Sequence, residues 1–176
     1  MDACVSQLPL SIAHATKADI PFIMSVERLP GYAALVGSYD AAEHHRRLAA
    51  PNTNYLLCRL GAEPVGFAVV RLDDDDMGNA QLHRIAMAAT GLGHGTAFLH
   101  QICRLVFSIY DVARFWLDLL PSNAHAKAVY SKIGFLQEGT MRGALRVSDG
   151  SRHDLLLMSL LRDQWQANIG SQNLQS

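Results

Sequence analysis

A glycine-rich turn carries the clearest chemical signal in the sequence. It runs from Thr90 to Thr96 (TGLGHGT), after a run of β-favouring residues and before a segment with helical apolar spacing. Glycines let the backbone approach a ligand closely, and the free N–H groups of a helix's first turn can hold a pyrophosphate without a cationic side chain. The turn lacks the Gly-Lys-Ser/Thr of a Walker loop and the last position of the G-x-G-x-x-G/A dinucleotide fingerprint. The turn therefore indicates a different phosphate-bearing cofactor, and the alternative is an empty strand-to-helix loop.

A second segment, in which a strand leads into a helix, adds a longer pattern. The pattern N-x-x-A-x-x-x-Y-x-x-x-G-F is filled by Asn123, Ala126, Tyr130, Gly134 and Phe135. Together with the upstream turn, which is similar to the R/Q-x-x-G-x-G/A motif, it resembles the GNAT acyltransferases. The resemblance extends from about Leu10 to Leu161. The closing stretch from Glu138 is similar to the branch that includes ribosomal-protein N-terminal acetyltransferases, although many metabolite, antibiotic and amino-sugar acetyltransferases share this ending.

The resemblance implies acetyl-CoA as co-substrate and indicates which residues hold it. The pantetheine arm is expected along one strand, on the backbone of Ile85, Ala86 and Met87. The rest of the expected cofactor site comprises Gly91, Gly93, His94, Gly95 and Thr96, which would take the pyrophosphate, together with Asn123. Two positions depart from the family pattern: Thr90 replaces the usual Arg or Gln, and His14 replaces an Arg common near the end of the first strand.

Acetyl transfer to an amine needs a base for the ammonium proton and an acid for the leaving thiolate. The resemblance places the Tyr130 phenol beside the coenzyme sulfur, as the acid. Two bases are possible. Asp118 lies where similar N-terminal acetyltransferases carry a glutamate, in a strand otherwise apolar, where an unpaired charge is costly. His83 lies on the strand where other members place a Glu, and an imidazole has a suitable unperturbed pKa near 6.5.

The acceptor cannot be identified from the sequence. Helices over residues 19–49 are expected to line its pocket, with Tyr32, Tyr39 and His45 as walls. The function predicted is an N-acetyltransferase that acts on a primary amine, either a peptide N-terminus or a small molecule, by direct attack in a ternary complex. The alternatives are a non-catalytic acyl-CoA sensor of the same fold and a pure scaffold or dimerisation domain.

The composition of the chain limits which partners and which cellular location are expected. Lys and Arg total 15 against 16 Asp and Glu, for a net charge of −1, so a nucleic-acid partner is not expected. The three cysteines form no CxxC pair and suit a reducing compartment. No run is long enough to span a bilayer, so the expected location is the cytoplasm. No zinc-ligand spacing is present, so no metal is expected, and Glu43, His44 and His45 are expected on a helix surface. A homodimer is an expectation at the level of the family.

The predicted fold is α/β (α+β): a mixed, mostly antiparallel seven-stranded sheet with about four helices, in the order β-α-α-β-β-β-α-β-α-β-β. Periodicity predicts one domain over residues 1–166 and a polar, frayed tail over 167–176. The predicted strands are 10–15, 55–60, 65–72, 80–88, 114–120, 136–147 and 152–161, and the predicted helices are 19–29, 40–49, 96–110 and 124–133.

Overall fold

The computed structural model describes residues 9–32, 37–74, 77–147 and 149–173. Over these residues, one seven-stranded sheet has the order β1-β2-β3-β4-β5-β7-β6, and only its β4–β5 pair is parallel. The strands are β1 (Leu10–His14), β2 (Thr53–Leu60), β3 (Glu63–Leu72), β4 (Asn79–Met87), β5 (Arg114–Leu119), β6 (Leu136–Arg146) and β7 (Arg152–Leu161). The helices are α1 (Ile20–Glu27), α2 (Ala41–Leu48), α3 (His94–Ile109), α4 (Ala124–Ile133) and α5 (Arg162–Asn173), and a short 3₁₀ turn (Lys17–Asp19) precedes α1.

The predicted fold class and element order are confirmed, with one addition at the C-terminus. The sequence predicts a frayed tail from Ala167, but α5 runs from Arg162 to Asn173. Trp165 is buried, and Ile169, one helical turn later, packs against the same core. These two apolar residues at i, i+4 spacing anchor a helix whose other residues are mostly polar.

Local sequence signals explain where the helices beside the site begin and end. Asp40 accepts a hydrogen bond from Glu43 N–H at 2.7 Å and so caps the start of α2. Asn123 caps α4 in the same way, by accepting from Ala126 N–H at 3.2 Å. Gly134 ends α4 in a left-handed conformation (φ 115°), where glycine is favoured.

The two faces of the sheet pack against different helices. One face packs on α3, α4 and α5 through an apolar core that includes Leu99, Phe115 and Phe135. The other face carries α1 and α2 and a smaller apolar core that includes Ile23 and Leu57. We call these the α3 face and the α1 face.

Two irregularities in β4 shape the centre of the sheet. Its parallel pairing with β5 covers only the first three residues, up to Gln81 opposite Trp116, so the two strands separate beyond that point. A β-bulge at His83 shifts the pairing of β4 with β3. Ala80 and Leu82 pack on the α3 face, whereas both His83 and Arg84 make their contacts on the α1 face.

In the parts of the chain that the structure describes, no helix is both long and apolar enough to cross a membrane.

Candidate active site

The opening between β4 and β5 is the centre of the candidate site. Beyond Gln81, no strand among the described residues pairs with the β5-side edge of β4. Phe67 pairs in register with Ala86, and Ala88 N–H donates to Val65 O at 2.8 Å. Because backbone groups alternate between the two edges of an antiparallel strand, those of Ala86 face β3 and those of Ile85 and Met87 face the opening. Of the three residues predicted to bond the pantetheine arm, Ile85 and Met87 are therefore suitably oriented and Ala86 is not.

The glycine-rich turn lies at one end of this opening. Gly91 and Gly93 have φ values of 82° and 77°, which side chains rarely adopt, and Gly93 is the N-cap residue of α3. Space is open where a Cβ would stand on either glycine. The first helical hydrogen bond of α3 runs from Ala97 N–H to Gly93 O, so the amides of the three residues before Ala97 lie outside the helical ladder.

These features fit the coenzyme that the sequence predicts. The amides of His94, Gly95 and Thr96 form a helix N-terminus with no acidic side chain in its first turn. A Cβ on Gly95 would stand 3.4 Å from Met87 Cγ, so the start of α3 lies directly against β4. The N-terminus of α3 and the open edge of β4 are thus adjacent, and Asn123 caps the N-terminus of α4.

Asp118 and Tyr130 lie on opposite faces of the sheet. Asp118 alternates with Leu117 and Leu119, which pack on the α3 face, so its side chain lies on the α1 face. Tyr130 is half-buried against the α3-face core. Burial raises the pKa of the Tyr130 phenol, and the charge of Asp118 raises it further. The two groups therefore interact electrostatically across the sheet.

Gln81 is a neighbour of Asp118 that sequence reasoning missed. Its Nε2 donates to Asp118 Oδ2 at 3.0 Å, from the point where β4 and β5 separate. Burial raises the pKa of the Asp118 carboxyl, and the hydrogen bond from Gln81 opposes that shift. No motif marks Gln81; only the register of the parallel pair places it beside Asp118.

His83 has a different environment from Asp118. Burial, together with the nearby charges of Arg84, Arg71 and Arg47, lowers the pKa of its ring to about 4. The ring is therefore neutral near pH 7. Its Nε2 lies 3.1 Å from the Tyr39 hydroxyl.

The structure brings two of the three predicted acceptor residues to β4. Tyr39 contacts His83, and the Tyr32 hydroxyl lies 3.0 Å from Met87 O. His45 is exposed on α2 and is not part of this cluster. Its neighbour His44 turns inward instead and is fully buried, so the expectation that His44 lies on the helix surface is wrong.

Glu27 explains the burial of His44. Glu27 is itself fully buried, and its carboxylate contacts Arg84 Nη1 at 2.8 Å, His44 Nε2 at 3.2 Å and Tyr39 N–H at 2.9 Å. The Arg84 guanidinium also stacks over the Tyr39 ring, 3.5 Å from its centroid. We call Glu27, His44 and Arg84 the buried polar cluster. Its members are far apart in sequence, so no local pattern indicates it.

An open groove of about 580 Å³ adjoins Gln81 on the α1 face. Its floor includes Trp116, which is opposite Gln81 in the parallel pair. Its other lining residues are Arg71, Leu72, Asp73 and Asp74. Gln81, which lines this groove, is the residue that hydrogen-bonds Asp118.

Comparison with known proteins establishes the family. The profile of the acetyltransferase (GNAT) family matches residues 23–135, more than half of the chain. The chain belongs to the GNAT acetyltransferase family. The sequence-based predictions of the family, the fold and acetyl-CoA-dependent N-acetyl transfer are therefore confirmed at the level of the family.

Individual relatives agree with this assignment. The chain is 28% identical over 153 residues to the N-alpha-acetyltransferase RimI of Mycobacterium tuberculosis, a match that covers 84% of this chain and 91% of RimI. It is 34% identical over 82 residues to YdaF of Bacillus subtilis, and here the match spans 47% of this chain and less than half, 44%, of YdaF. Its fold is similar to a spermidine N-acetyltransferase from Vibrio cholerae solved with CoA and spermine (TM-score 0.78, 15% identity, 89% of this chain and 98% of that one).

Proposed function

We propose that this protein transfers the acetyl group of acetyl-CoA to a primary amine in a ternary complex, with Asp118 as base and Tyr130 as acid. The observation that carries the proposal is the opening between β4 and β5. Two observations support it: Gln81 bonds the Asp118 carboxylate where β4 and β5 separate, and the charge of Asp118 helps to raise the pKa of the Tyr130 phenol. Acetyl-CoA supplies the activated thioester, and the residues of this chain hold and orient it and move the protons.

The coenzyme would be held by backbone groups at two places. The amides of His94, Gly95 and Thr96, reached past Gly91 and Gly93, would take the pyrophosphate. The backbone groups of Ile85 and Met87 that face the opening would bond the pantetheine arm as a neighbouring strand would. Backbone groups make both contacts, so Thr90 in place of the usual Arg or Gln changes only a flanking side chain.

Asp118 is the better base of the two candidates. A general base works best when its pKa lies near the working pH. Burial moves the pKa of Asp118 upward, toward neutrality, whereas the pKa of His83 falls to about 4. We infer that Asp118 accepts the ammonium proton, directly or through water, and that neutral His83 and Tyr39 form a wall of the acceptor site.

Tyr130 is suited to donate a proton. A phenol is protonated at neutral pH, since its ordinary pKa is about 10, so Tyr130 carries a proton that the leaving thiolate can take. Asp118 accepts a proton on the α1 face, where the amine enters, and Tyr130 supplies one from the α3 face.

The test compares Asp118→Asn, Tyr130→Phe and His83→Gln with the wild type, using a panel of amines. We expect kcat to fall about 10²–10⁴-fold in each of the first two variants while acetyl-CoA still binds. The His83→Gln variant should lose less than about tenfold. Asp163→Asn, on the exposed surface of α5, is the matched control.

The pH dependence adds a second readout. Since Asp118 must be ionised, kcat/KM should fall as pH decreases through its raised pKa, and this limb should disappear in Asp118→Asn. A large loss of kcat/KM in His83→Gln with little loss in Asp118→Asn would mean that His83, and not Asp118, is the general base. Binding of acetyl-CoA without turnover of any amine would favour the non-catalytic sensor.

We also propose a cytoplasmic location and a homodimer. The buried free thiols of Cys58 and Cys103 are compatible with the reducing cytoplasm. A homodimer remains a prediction, which light scattering of the purified protein would test.

A further inference from the structure

Tyr32 makes an unusual pair of contacts with the backbone of β4. Met87 N–H donates to the Tyr32 hydroxyl at 3.1 Å, and the same hydroxyl donates to Met87 O at 3.0 Å. A single phenol thus satisfies both backbone groups of one strand residue. A neighbouring strand, or the amide of a bound ligand, would make the same two bonds.

The backbone groups that Tyr32 covers lie on the open edge of β4. Met87 is opposite Gly66, but Ala88 N–H makes the ladder bond to β3 at this end, so the polar groups of Met87 point away from β3. Strand β5 has already separated at Gln81. The Tyr32 phenol therefore lies in the space that a ligand bound along β4 would enter.

We propose that Tyr32 occupies the place of the coenzyme's pantetheine arm on Met87 and is displaced when acetyl-CoA binds. The inference rests on the proposed function, which assigns this strand edge to the coenzyme. A backbone N–H donates one strong hydrogen bond, so the Tyr32 phenol and a coenzyme amide cannot share Met87 N–H. Tyr32 is then a residue that sets acetyl-CoA affinity by competition, in addition to being a wall of the acceptor site.

The surroundings of Tyr32 allow this exchange. Tyr32 follows Gly31, which has φ 91° and open space where a Cβ would stand. On either side the backbone is held: α1 ends in the buried Glu27, and the same carboxylate binds Tyr39 N–H. The Tyr32 ring is only partly buried against the α1-face core, so its hydroxyl can move off Met87 while α1 and Tyr39 keep their positions on the sheet.

A consequence for the order of binding follows. A displaced Tyr32 phenol remains on the α1 face, where the amine enters. The acceptor site therefore acquires its final shape only after acetyl-CoA has bound. The inference predicts that acetyl-CoA binds before the amine.

The test measures the acetyl-CoA dissociation constant by calorimetry for the wild type and Tyr32→Phe. Phenylalanine keeps the packing of the ring and removes only the competing hydroxyl. We expect the dissociation constant to fall about two- to tenfold, as for the loss of one competing hydrogen bond. Tyr110→Phe is the matched control, because its hydroxyl donates to Asn54 Oδ1 at 3.2 Å, away from the opening; it should leave the constant unchanged.

Amide hydrogen exchange at Met87 gives an independent readout. Without ligand, Met87 N–H should exchange faster in Tyr32→Phe than in the wild type, and acetyl-CoA should protect it in both. An unchanged or raised dissociation constant in Tyr32→Phe overturns the inference and leaves the proposed function intact. A wild type that does not bind acetyl-CoA overturns both.

Discussion

The two faces of the sheet are stabilised by different chemistry. On the α3 face the buried residues are almost all apolar, among them Phe98, Leu99 and Phe115. On the α1 face a smaller apolar core surrounds Glu27 and His44, which are fully buried, and Arg84, which is 8% exposed. One sheet thus carries a dry core under α3 and a buried polar cluster under α1 and α2.

This difference matches what each face must do. An apolar core depends on volume and shape and tolerates many sequences. A buried ion pair adds little net stability, because desolvation offsets the attraction, but it is costly to leave half-made. We infer that the α3 face supplies most of the stability, whereas the buried polar cluster holds Tyr39 and α2 in one arrangement beside His83.

The largest expected effect comes from breaking the buried polar cluster. Glu27→Gln leaves Arg84 buried without its counter-charge, which should cost about 3–5 kcal/mol. Thermal unfolding should show a decrease in Tm of roughly 6–20 °C for a domain of this size.

Two controls sharpen that result. Removing both charges, in Glu27→Gln with Arg84→Met, should recover more than half of the loss. Glu43→Gln, which removes surface pairs with Arg46 and Arg47, should cost at most about 1 kcal/mol. A double variant no more stable than Glu27→Gln would contradict the account of the cluster as an ion pair.

A cavity on the α3 face should lower the free energy of unfolding without changing the KM for the amine. Leu99 is fully buried under α3, and Leu99→Ala should lower the free energy of unfolding by about 2–5 kcal/mol. Below the melting temperature its KM for the amine should equal that of the wild type, whereas Glu27→Gln should raise KM because Tyr39 loses its anchor. Equal changes in KM for both variants would remove the functional distinction between the faces.

Removing a helix cap should have the smallest effect on the free energy of unfolding. Asp40 caps α2 on the α1 face, and Asn123 caps α4 on the α3 face. Asp40→Ala and Asn123→Ala each remove one cap, at a cost of about 1 kcal/mol by chemical denaturation. Only Asn123→Ala should also weaken acetyl-CoA binding, because α4 borders the opening. If both caps affect acetyl-CoA binding equally, Asn123 has no place in the cofactor site.

Local sequence signals were sufficient for most of the fold. Alternation and turn residues predicted all seven strands, and the caps at Asp40 and Asn123 lie where the helices were expected. The end of the chain was missed, because the Trp165 and Ile169 pair lies among polar residues and its packing partners are on α3 and α4.

The site was only partly accessible to sequence reasoning. The glycine turn and the Tyr130 segment are contiguous, so a motif can describe them. Gln81 and Asp118 are 37 residues apart, and Glu27 and Arg84 are 57 apart. Each isolated Glu, Gln or Arg in such a pattern is typical of a solvated surface, and only strand register and helix docking bring them together.

The bulge at His83 acts as a phase shift in the side-chain pattern of β4. Before it, even-numbered residues such as Leu82 face α3; after it, Ile85 and Met87 take that side, and Arg84 and Ala86 face α1. Because of this one additional residue, β4 places Ala80 and Leu82 in the α3-face core and Arg84 in the buried polar cluster. If His83 instead paired regularly, without the bulge, the two patterns would be exchanged over residues 84–87, and Arg84 would point toward the apolar core and Met87 toward the α1 face.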